Sequence, residues 1–351
     1  MDTQTHSSLR TVEWKDNSVI MIDQTKLPNE LVYVKYTDYN DVADAIRNLI
    51  VRGAPAIGVS GAFGLALAVL QSSAKTGEEL LNDLETAKKI LYETRPTAVN
   101  LAWGLDKIMQ VAKSGKNVEE IRKSVIETAQ KMAEEDIQTN MKMGKNGATL
   151  FDDKDTIMTH CNAGALATVA YGTALGVIRA TKDSGKKIKV IATETRPVMQ
   201  GSRLTVFELK HDGIDVSLIP DTAVGYSMAN GLVSKVIVGA DRILSTGHVY
   251  NKIGTYQVAL MAKQHGIPFY VAAPLSTFDL KSTPKDVVIE QRNASEVTGL
   301  AGKKTAPDDI NVINPAFDMT PPELISGIIT EAGVAKPPFE ASIKKLFESK
   351  L

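Results

Sequence analysis

The chain has 351 residues, of which 43% are hydrophobic and 23% are charged, and its formal net charge is −1. This length exceeds that of one ordinary domain and predicts two domains or one large one. The near-zero net charge predicts no electrostatic attraction to nucleic acid or to acidic membranes. The single cysteine, Cys161, cannot form an intramolecular disulfide, which indicates a reducing compartment or indifference to redox state. The polar N-terminal stretch lacks the apolar core of a signal peptide, and the longest apolar run, SGAFGLALAVL from Ser60, is too short to span a bilayer. We therefore expect a cytoplasmic protein.

The first 150 residues contain a strand region followed by a helical region. β-branched and aromatic residues dominate three short stretches separated by turn formers, which predicts a small antiparallel sheet: LRTVEW, SVIMID and LVYVKY. From Tyr39 onward, apolar residues recur at helical spacing in segments that begin YNDVADAI, GEELLNDL, AVNLAWGL and NVEEIRKS. We therefore expect residues 1–150 to form an N-terminal domain of antiparallel sheet plus helices.

Strands and helices alternate from Thr156 onward. Five apolar stretches read as strands: TIMTHC, KIKVIATE, DVSLIP, SKVIVGAD and PFYVAA. Helical patterns follow at Ala165–Lys182, Ser202–His211, Ala223–Gly231, Ile253–His265 and near Pro321–Ala332. Strands that are apolar throughout and separated by helices predict a parallel sheet covered on both faces, hence an α/β fold for residues 151–351. No GxGxxG motif opens any of these helices, so the sequence predicts no dinucleotide cofactor.

Polar side chains follow these strands where a ligand is expected, because open parallel sheets bind ligands beyond the carboxyl ends of their strands. This edge presents Cys161, Glu194–Arg196, Asp221, Asp241–Arg242 and Pro274. The cysteine has two interpretations at this point. It is either a small buried apolar residue or a thiol whose pKa is lowered by the start of the following helix.

Asp241 also has two interpretations, since it ends an otherwise apolar strand. It either caps a helix or pairs with Arg242, or it is a partly buried acid able to donate a proton near neutral pH. His160 is expected to be a packed residue rather than a catalytic base, and the five histidines show no metal-binding spacing.

Four segments could bind an anion because each places polar or basic residues just before a helix. They are Asn251-Lys252, Gln200-Gly201-Ser202, Arg52-Gly53-Ala54 and Arg95. Each has an ordinary structural alternative, such as a helix cap with a solvated lysine or tight helix packing at the glycines and alanines.

Eight motifs, spread in order from about Val12 to the C-terminal end, together resemble the 5-methylthioribose-1-phosphate isomerases of methionine salvage: RGAPAIG, RPTAVNLAWG, THCNAGALAT, ETRPVMQGSRLT, VGADRI, NKIGTYQVA, FYVAAPLSTFD and NPAFDMTPPELISGIITE. That family is related to regulatory subunits of the exchange factor for translation initiation. The resemblance implies a Rossmann-like domain preceded by a small N-terminal domain, and a homodimer. It also implies that Cys161 and Asp241 are catalytic and that the substrate is bound by Arg52, Gly53, Ala54, Arg95, Gln200, Asn251 and Lys252.

The resemblance implies a sugar phosphate substrate whose anomeric carbon carries the phosphate, so the ring must open before an aldose–ketose isomerisation. Asp241 would protonate the ring oxygen, and Cys161 would either shuttle a proton from C2 to C1 or stabilise a direct hydride transfer. Neither route needs a metal or a nicotinamide, and we expect no cofactor. Two alternatives stay open: isomerisation of another pentose 1-phosphate, such as ribose 1,5-bisphosphate or 5-deoxyribose 1-phosphate, and a non-catalytic regulatory subunit.

Overall fold

The computed structural model describes residues 9–300 and 302–348, which form two compact units. The first unit contains the described residues up to Lys142 together with Ala163–Arg179, and the second contains Met143–Asn162 and the described residues from Ala180 onward. The single domain boundary expected after residue 150 stays a prediction, because compactness does not show which segments fold independently. The division does assign the segment that follows Cys161 and Asn162 to the first unit.

The first unit contains the small antiparallel sheet that the sequence predicts. Its strands pair in the order β1-β2-β3 and are β1 (Val12–Lys15), β2 (Ser18–Ile22) and β3 (Tyr33–Tyr36). Five helices follow in the chain: α1 (Tyr39–Arg47), α2 (Ala54–Gln71), α3 (Gly77–Tyr92), α4 (Val99–Ser114) and α5 (Val118–Ala148). Apolar residues of β1, β2 and α1–α5 form one buried cluster. The apolar face of the strands, with period 2, therefore packs against the apolar faces of the helices, with period 3.6, in a common core.

Helix α2 is the centre of this core. By length and composition, α2 is long and apolar enough to cross a membrane, and it is longer than the apolar run that begins at Ser60. However, 78% of the helix is buried within the fold, as in the core helix of a globular protein. Its glycines allow close packing on α4, since a Cβ added at Gly104 would lie 2.4 Å from the carbonyl oxygen of Gly58. The glycine and alanine content of α2 is therefore explained by helix packing.

The second unit is built on a seven-stranded sheet in the order β16-β15-β10-β7-β4-β5-β6. Its strands are β4 (Thr156–Thr159), β5 (Lys189–Thr193), β6 (Asp215–Ile219), β7 (Lys235–Val238), β10 (Phe269–Ala272), β15 (Gly327–Thr330) and β16 (Gly333–Ala335). All neighbouring pairs are parallel except β15 with β16. The α/β, Rossmann-like fold class predicted from the sequence is confirmed.

Two smaller sheets and several helices complete the described chain. A four-stranded sheet has the order β11-β8-β9-β14 and consists of β8 (Arg242–Leu244), β9 (Val249–Lys252), β11 (Phe278–Asp279) and β14 (Phe317–Thr320). A two-stranded sheet pairs β12 (Gly299–Leu300) with β13 (Lys303–Lys304) in antiparallel fashion. The helices are α6 (Ala174–Asp183), α7 (Val206–His211), α8 (Val224–Ala229), α9 (Thr255–Gln264), α10 (Ser295–Thr298) and α11 (Phe339–Glu348).

Two helix predictions are wrong. The helix predicted over Ala165–Lys182 begins only at Ala174, because the chain first forms a short 3-10 turn and then folds back tightly at Gly172, where a Cβ would lie 2.4 Å from the Cα of Gly164. The segment near Pro321–Ala332 forms β15 instead of a helix, since its β-branched residues are fully buried in the sheet against β10.

A buried carboxyl group links α5 to the segment after the cysteine. Asp136 Oδ2 accepts hydrogen bonds from the backbone amide of Val169 at 2.8 Å and from Nδ2 of Asn140 at 3.1 Å. Burial raises the pKa of Asp136 to about 7, against the lowering effect of these two bonds. The Nδ2 atom of Asn140 also donates to the backbone carbonyl of Asp136 at 2.9 Å, so the amide is fixed against this carboxyl group.

Asp136→Asn should therefore stabilise the protein at pH 8 and change its stability little at pH 4. An unfolded aspartate loses its proton near pH 4, whereas folded Asp136 keeps it to about pH 7, so the favourable contribution of the protonated form to folding is lost as pH rises through this window. The measurement is the melting temperature from pH 4 to pH 8, with Glu127→Gln on the exposed face of α5 as the control. A difference between Asp136→Asn and wild type that does not grow with pH would contradict this account.

Candidate active site

Parallel pairing brings four loops to one edge of the seven-stranded sheet. Strands β4, β5, β6 and β7 run in the same direction, so the residues that follow them emerge at their common carboxyl edge. These residues include Cys161 after β4, Thr195 after β5, Asp221 after β6 and Asp241 after β7. The structure thus places both residues predicted to be catalytic at the edge where ligands of such sheets bind.

Cys161 is half-buried and adopts a left-handed backbone conformation, with φ of 64°. Its amide donates to Thr195 Oγ1 at 2.8 Å, and its carbonyl accepts from Thr205 Oγ1 at 2.6 Å. The next residue, Asn162, is buried and its Nδ2 donates to Glu208 at 2.8 Å. Two segments that are distant in sequence therefore fix the backbone on either side of the thiol.

The helix that the sequence predicts directly after Cys161 begins later in the chain, and the effect of a helix start on the thiol stays a prediction. The residues after Asn162 form only a short 3-10 turn at Ala165–Ala167, and the α-helix begins at Ala174. The Leu175 amide in the first turn of α6 donates to the Ala163 carbonyl at 3.2 Å.

His160 is packed, as the sequence indicates. It is 2% exposed, and its Nδ1 and Nε2 atoms contact Thr193 Oγ1 at 2.7 Å and the Ile253 carbonyl at 2.9 Å. Burial lowers the pKa of His160, against the raising effects of its bond to Ile253 and of Asp221. The ring is therefore neutral at pH 7.

The loop after β5 is organised by a carboxylate. Asp221 accepts from the amides of Thr195 and Arg196 at 2.8 and 2.7 Å. The guanidinium of Arg196 bonds to the carbonyls of Pro197 and Val297. Asp221 and Arg196 thus shape the loop, which is a structural role for two polar residues that the sequence placed at this edge.

Gln200 is 7% exposed, and its Oε1 atom has no hydrogen-bond partner in the described part of the chain. A buried amide oxygen without a donor is costly by about 1–3 kcal/mol, so a ligand hydroxyl or a water is the expected donor. The following residue must be glycine, because a Cβ at Gly201 would lie 1.7 Å from the Thr193 carbonyl oxygen. Gly201–Thr205 forms a π-helical turn, a feature that is frequent at functional sites.

Asp241 follows β7 and directly precedes β8, so no helix follows it that its side chain could cap locally. Its amide donates to the Tyr250 carbonyl at 2.9 Å, which aligns it with strand β9. Arg242, the next residue, forms an ion pair with Asp279 at 3.3 Å.

Asn251 and Lys252 end β9 just before α9. The Asn251 Nδ2 atom is buried and donates to Thr255 Oγ1 at 3.1 Å, and the Lys252 ammonium lies 5.1 Å from the centre of the Phe317 ring. An anion site formed by the α9 amides was expected here, but Asp318 from β14 accepts from the amides of Gly254 and Tyr256 at 2.7 and 3.1 Å. Any anion at this end of β9 therefore depends on Lys252 rather than on these two amides.

The carboxyl group of Asp318 is itself perturbed by its place beside α9. Burial raises its pKa to about 6, although the Gly254 and Tyr256 amides and the charge of Lys252 lower it.

The other predicted binding residues lie in the first unit. Arg52, Gly53 and Ala54 lead into α2, and Arg95 lies between α3 and α4. Gly53 has φ of 96°, and a Cβ there would lie 2.4 Å from the Cα of Ala167. The Arg52–Ala54 segment thus packs against the turn that comes shortly after Cys161 in sequence.

Sequence reasoning placed Thr195 at this edge but missed three other residues that hold the site together: Thr193, Thr205 and Asp318. Polar threonines at the end of an apolar strand, as in IATET, were the only available signal, and Asp318 lies more than sixty residues from the helix that it caps. Among residues 9–300 and 302–348, no group of three or more His, Cys, Asp or Glu side chains is arranged to hold a metal ion.

A model of the initiation factor 2 subunit family matches residues 50–337. The methylthioribose-1-phosphate isomerase of Thermosipho africanus is 53% identical over 339 residues, which cover 96% of this chain and 98% of that protein. The putative methylthioribose-1-phosphate isomerase of Methanocaldococcus jannaschii is 53% identical over 341 residues, which cover 97% of this chain and 98% of that protein.

Two solved structures are similar over nearly the whole chain. The 5-methylthioribose 1-phosphate isomerase from Pyrococcus horikoshii OT3 has a TM-score of 0.92 at 46% identity and covers 99% of both chains. The protein from A. fulgidus described as translation initiation factor eIF-2B, subunit delta, has a TM-score of 0.88 at 50% identity and covers 97% of this chain and 100% of that chain. The sequence, the fold and these relatives agree: the chain belongs to the initiation factor 2 subunit family and, within it, to the group of methylthioribose-1-phosphate isomerases.

Proposed function

We propose that the chain converts 5-methylthioribose 1-phosphate to 5-methylthioribulose 1-phosphate, an aldose–ketose isomerisation of methionine salvage. The observation that carries the proposal is the 53% identity, over nearly the full length of both chains, to the T. africanus isomerase. The position of Cys161 and Asp241 after the neighbouring parallel strands β4 and β7 supports it, because the reaction needs an acid and a second proton-transfer or stabilising group.

The first step assigned to the site is ring opening. The anomeric carbon carries a phosphate ester, so no free aldehyde is available, and breaking the bond from C1 to the ring oxygen leaves an oxocarbenium ion at C1 that keeps the phosphate. Asp241 donates the proton that the ring oxygen takes up as this bond breaks, leaving a carboxylate. Asp241 lies just beyond the buried end of β7 and is itself partly exposed, so a substrate can reach it at the carboxyl edge of the sheet.

The second step moves hydrogen from C2 to C1, while the C2 hydroxyl gives its proton to the Asp241 carboxylate, which restores the acid and leaves a ketone at C2. In one route the Cys161 thiolate takes the C2 proton and returns a proton to C1 of the resulting enediolate-like species. In the other route hydride passes directly from C2 to C1, and Cys161 stabilises the developing charge. The routes differ in whether solvent deuterium can reach C1 of the product.

The binding roles rest on the resemblance together with local chemistry. The unpartnered Oε1 of Gln200 accepts from a sugar hydroxyl, and Lys252 with Asn251 contacts the phosphate. Arg52, Gly53, Ala54 and Arg95 are assigned to substrate binding on the resemblance alone. The resemblance is also the basis for proposing a homodimer, and the single cysteine is the basis for proposing a cytoplasmic location.

A non-catalytic role is the competing function, because the A. fulgidus relative is described as a subunit of a translation initiation factor. A protein that acts only through contacts with partners needs neither a thiol nor a carboxylic acid at the edge of the sheet. Ribose 1,5-bisphosphate and 5-deoxyribose 1-phosphate are the competing substrates.

A panel of sugar 1-phosphates that differ only at C5 tests the function. We expect kcat/KM for 5-methylthioribose 1-phosphate to exceed that for 5-deoxyribose 1-phosphate by about 10-fold or more, since an apolar pocket gains from the methylthio group. The 1,5-bisphosphate should be poorer by at least about 100-fold, since a pocket suited to an apolar methylthio group would bury a second phosphate without a cation. Preference for the bisphosphate would overturn the substrate assignment, and no turnover of any member would favour the non-catalytic role.

Cys161→Ser should lower kcat by at least about 100-fold, the lower end of the range for general acid–base catalysis, and leave the melting temperature within a few degrees. Serine keeps the size of the side chain but lacks a group that ionises near neutral pH. Because Cys161 is the only cysteine, iodoacetamide should inactivate wild type by modifying this residue alone, and bound substrate should slow the reaction. Wild-type turnover in the variant, or full activity after alkylation, would remove the thiol from the mechanism.

Lys252→Ala should raise KM for the sugar phosphate by about 10-fold and weaken competitive inhibition by inorganic phosphate by a similar factor. Lys263→Ala is the matched control, since it removes the same charge from the exposed far end of α9 and should change neither constant. Unchanged inhibition by phosphate in Lys252→Ala would place the phosphate elsewhere.

A further inference from the structure

Cys161 has a left-handed backbone conformation, which costs about 1–3 kcal/mol for a residue with a side chain. Such a conformation persists only where neighbouring interactions offset this cost. Thr195 Oγ1, which accepts from the Cys161 amide, supplies one hydrogen bond of that support. Thr195 itself has φ of 63°, so its own conformation also depends on neighbouring bonds. The support given to Cys161 therefore depends on what orients the hydroxyl of Thr195.

The directions of the hydrogen bonds follow from a single carbonyl. The Ile253 oxygen can only accept, so Nε2 of His160 carries the hydrogen that it donates to Ile253. The ring is neutral, which leaves Nδ1 as an acceptor for the hydroxyl of Thr193 at 2.7 Å. The Thr195 hydroxyl in turn donates toward Thr193, whose Oγ1 and carbonyl oxygen lie 3.2 and 3.3 Å away. The lone pairs of Thr195 Oγ1 therefore face the Cys161 amide.

The hydrogen-bond chain that starts at the Cys161 amide ends at the Ile253 carbonyl, next to Lys252, the proposed phosphate contact. Ile253 follows Lys252 directly, and the His160 ring lies against Gly254, where a Cβ would be 3.0 Å from Cε1 of the ring. Gly254 has φ of 99° and begins α9. A single buried imidazole thus joins the ends of three strands, β4, β5 and β9.

We propose that His160, Thr193 and Thr195 are positioning residues that hold the Cys161 thiol in its reactive orientation and at a fixed distance from the Asn251–Lys252 segment. The inference rests on the proposed function in taking Cys161 as the group that acts on the substrate. None of the three residues needs to touch the substrate. Their effect is expressed through the backbone of Cys161, so it should appear in kcat rather than in KM.

Paired substitutions at Thr195 and Thr193 test this inference. Valine keeps the branched shape and removes the hydroxyl, whereas serine keeps the hydroxyl. Thr195→Val and Thr193→Val should each lower kcat by at least about 10-fold with KM changed less than about threefold, and Thr195→Ser and Thr193→Ser should recover most of the loss. His160→Gln, which retains a donor for Ile253 but lacks the ring acceptor at Nδ1, should lower kcat to a similar degree.

Hydrogen exchange of the peptide that contains Cys161 provides a readout independent of the substrate. Exchange should be faster in both valine variants than in wild type and near wild type in both serine variants. Wild-type kcat in folded Thr195→Val and Thr193→Val would overturn the inference, as would unchanged exchange. Failure of wild type to convert the methylthio sugar phosphate would instead contradict the proposed function, so the two failures are distinguishable.

Discussion

The parallel pairing of β4 with β5 and β7 is the constraint on which the rest of the second unit depends. Because these strands share a direction, the loops that follow them all begin at the carboxyl edge of the sheet, whatever their separation in sequence. Cys161 and Asp241 are far apart in the chain, yet both follow strands that are direct neighbours. The buried apolar strands supply the rigidity, and the loops after them supply the chemistry.

The edge of the sheet is also where the backbone departs from ordinary conformations. Cys161, Thr195 and Met199 all have φ between 63° and 64°, and each lies in a loop after β4 or β5. Such conformations persist only where hydrogen bonds over-determine them, and the carboxylate of Asp221 and the hydroxyls of Thr195 and Thr205 provide these bonds. Part of the backbone strain of this chain therefore lies at the thiol itself and in the loop after β5 that bonds to it.

The strands and the polar residues that follow them could be predicted from sequence, because apolar runs that end in polar residues are a local pattern. TIMTHC and SKVIVGAD identify β4 and β7 and place Cys161 and Asp241 after them. What could not be predicted depends on contacts between distant segments. The cap that Asp318 provides for α9 has no local signature, nor has the fold-back at Gly172 that delays α6 to Ala174. Residues Gly327–Thr330 were misread because Ile-Ile-Thr is compatible with both a buried helix and a buried strand, and only pairing with β10 decides between them.

The closeness of Gly201 to the Thr193 carbonyl makes the tolerance of this chain to mutation very uneven. Alanine adds a single methyl group, yet at this position that group would overlap a backbone oxygen that cannot rotate away. The π-helical turn would have to leave the strand, taking Thr205 away from the Cys161 carbonyl. By contrast, Ile313 is 87% exposed, and many side chains would fit there with little cost. A saturation screen for activity should therefore find fewer acceptable residues at Gly201, which has no side chain, than at Ile313, which has a large one.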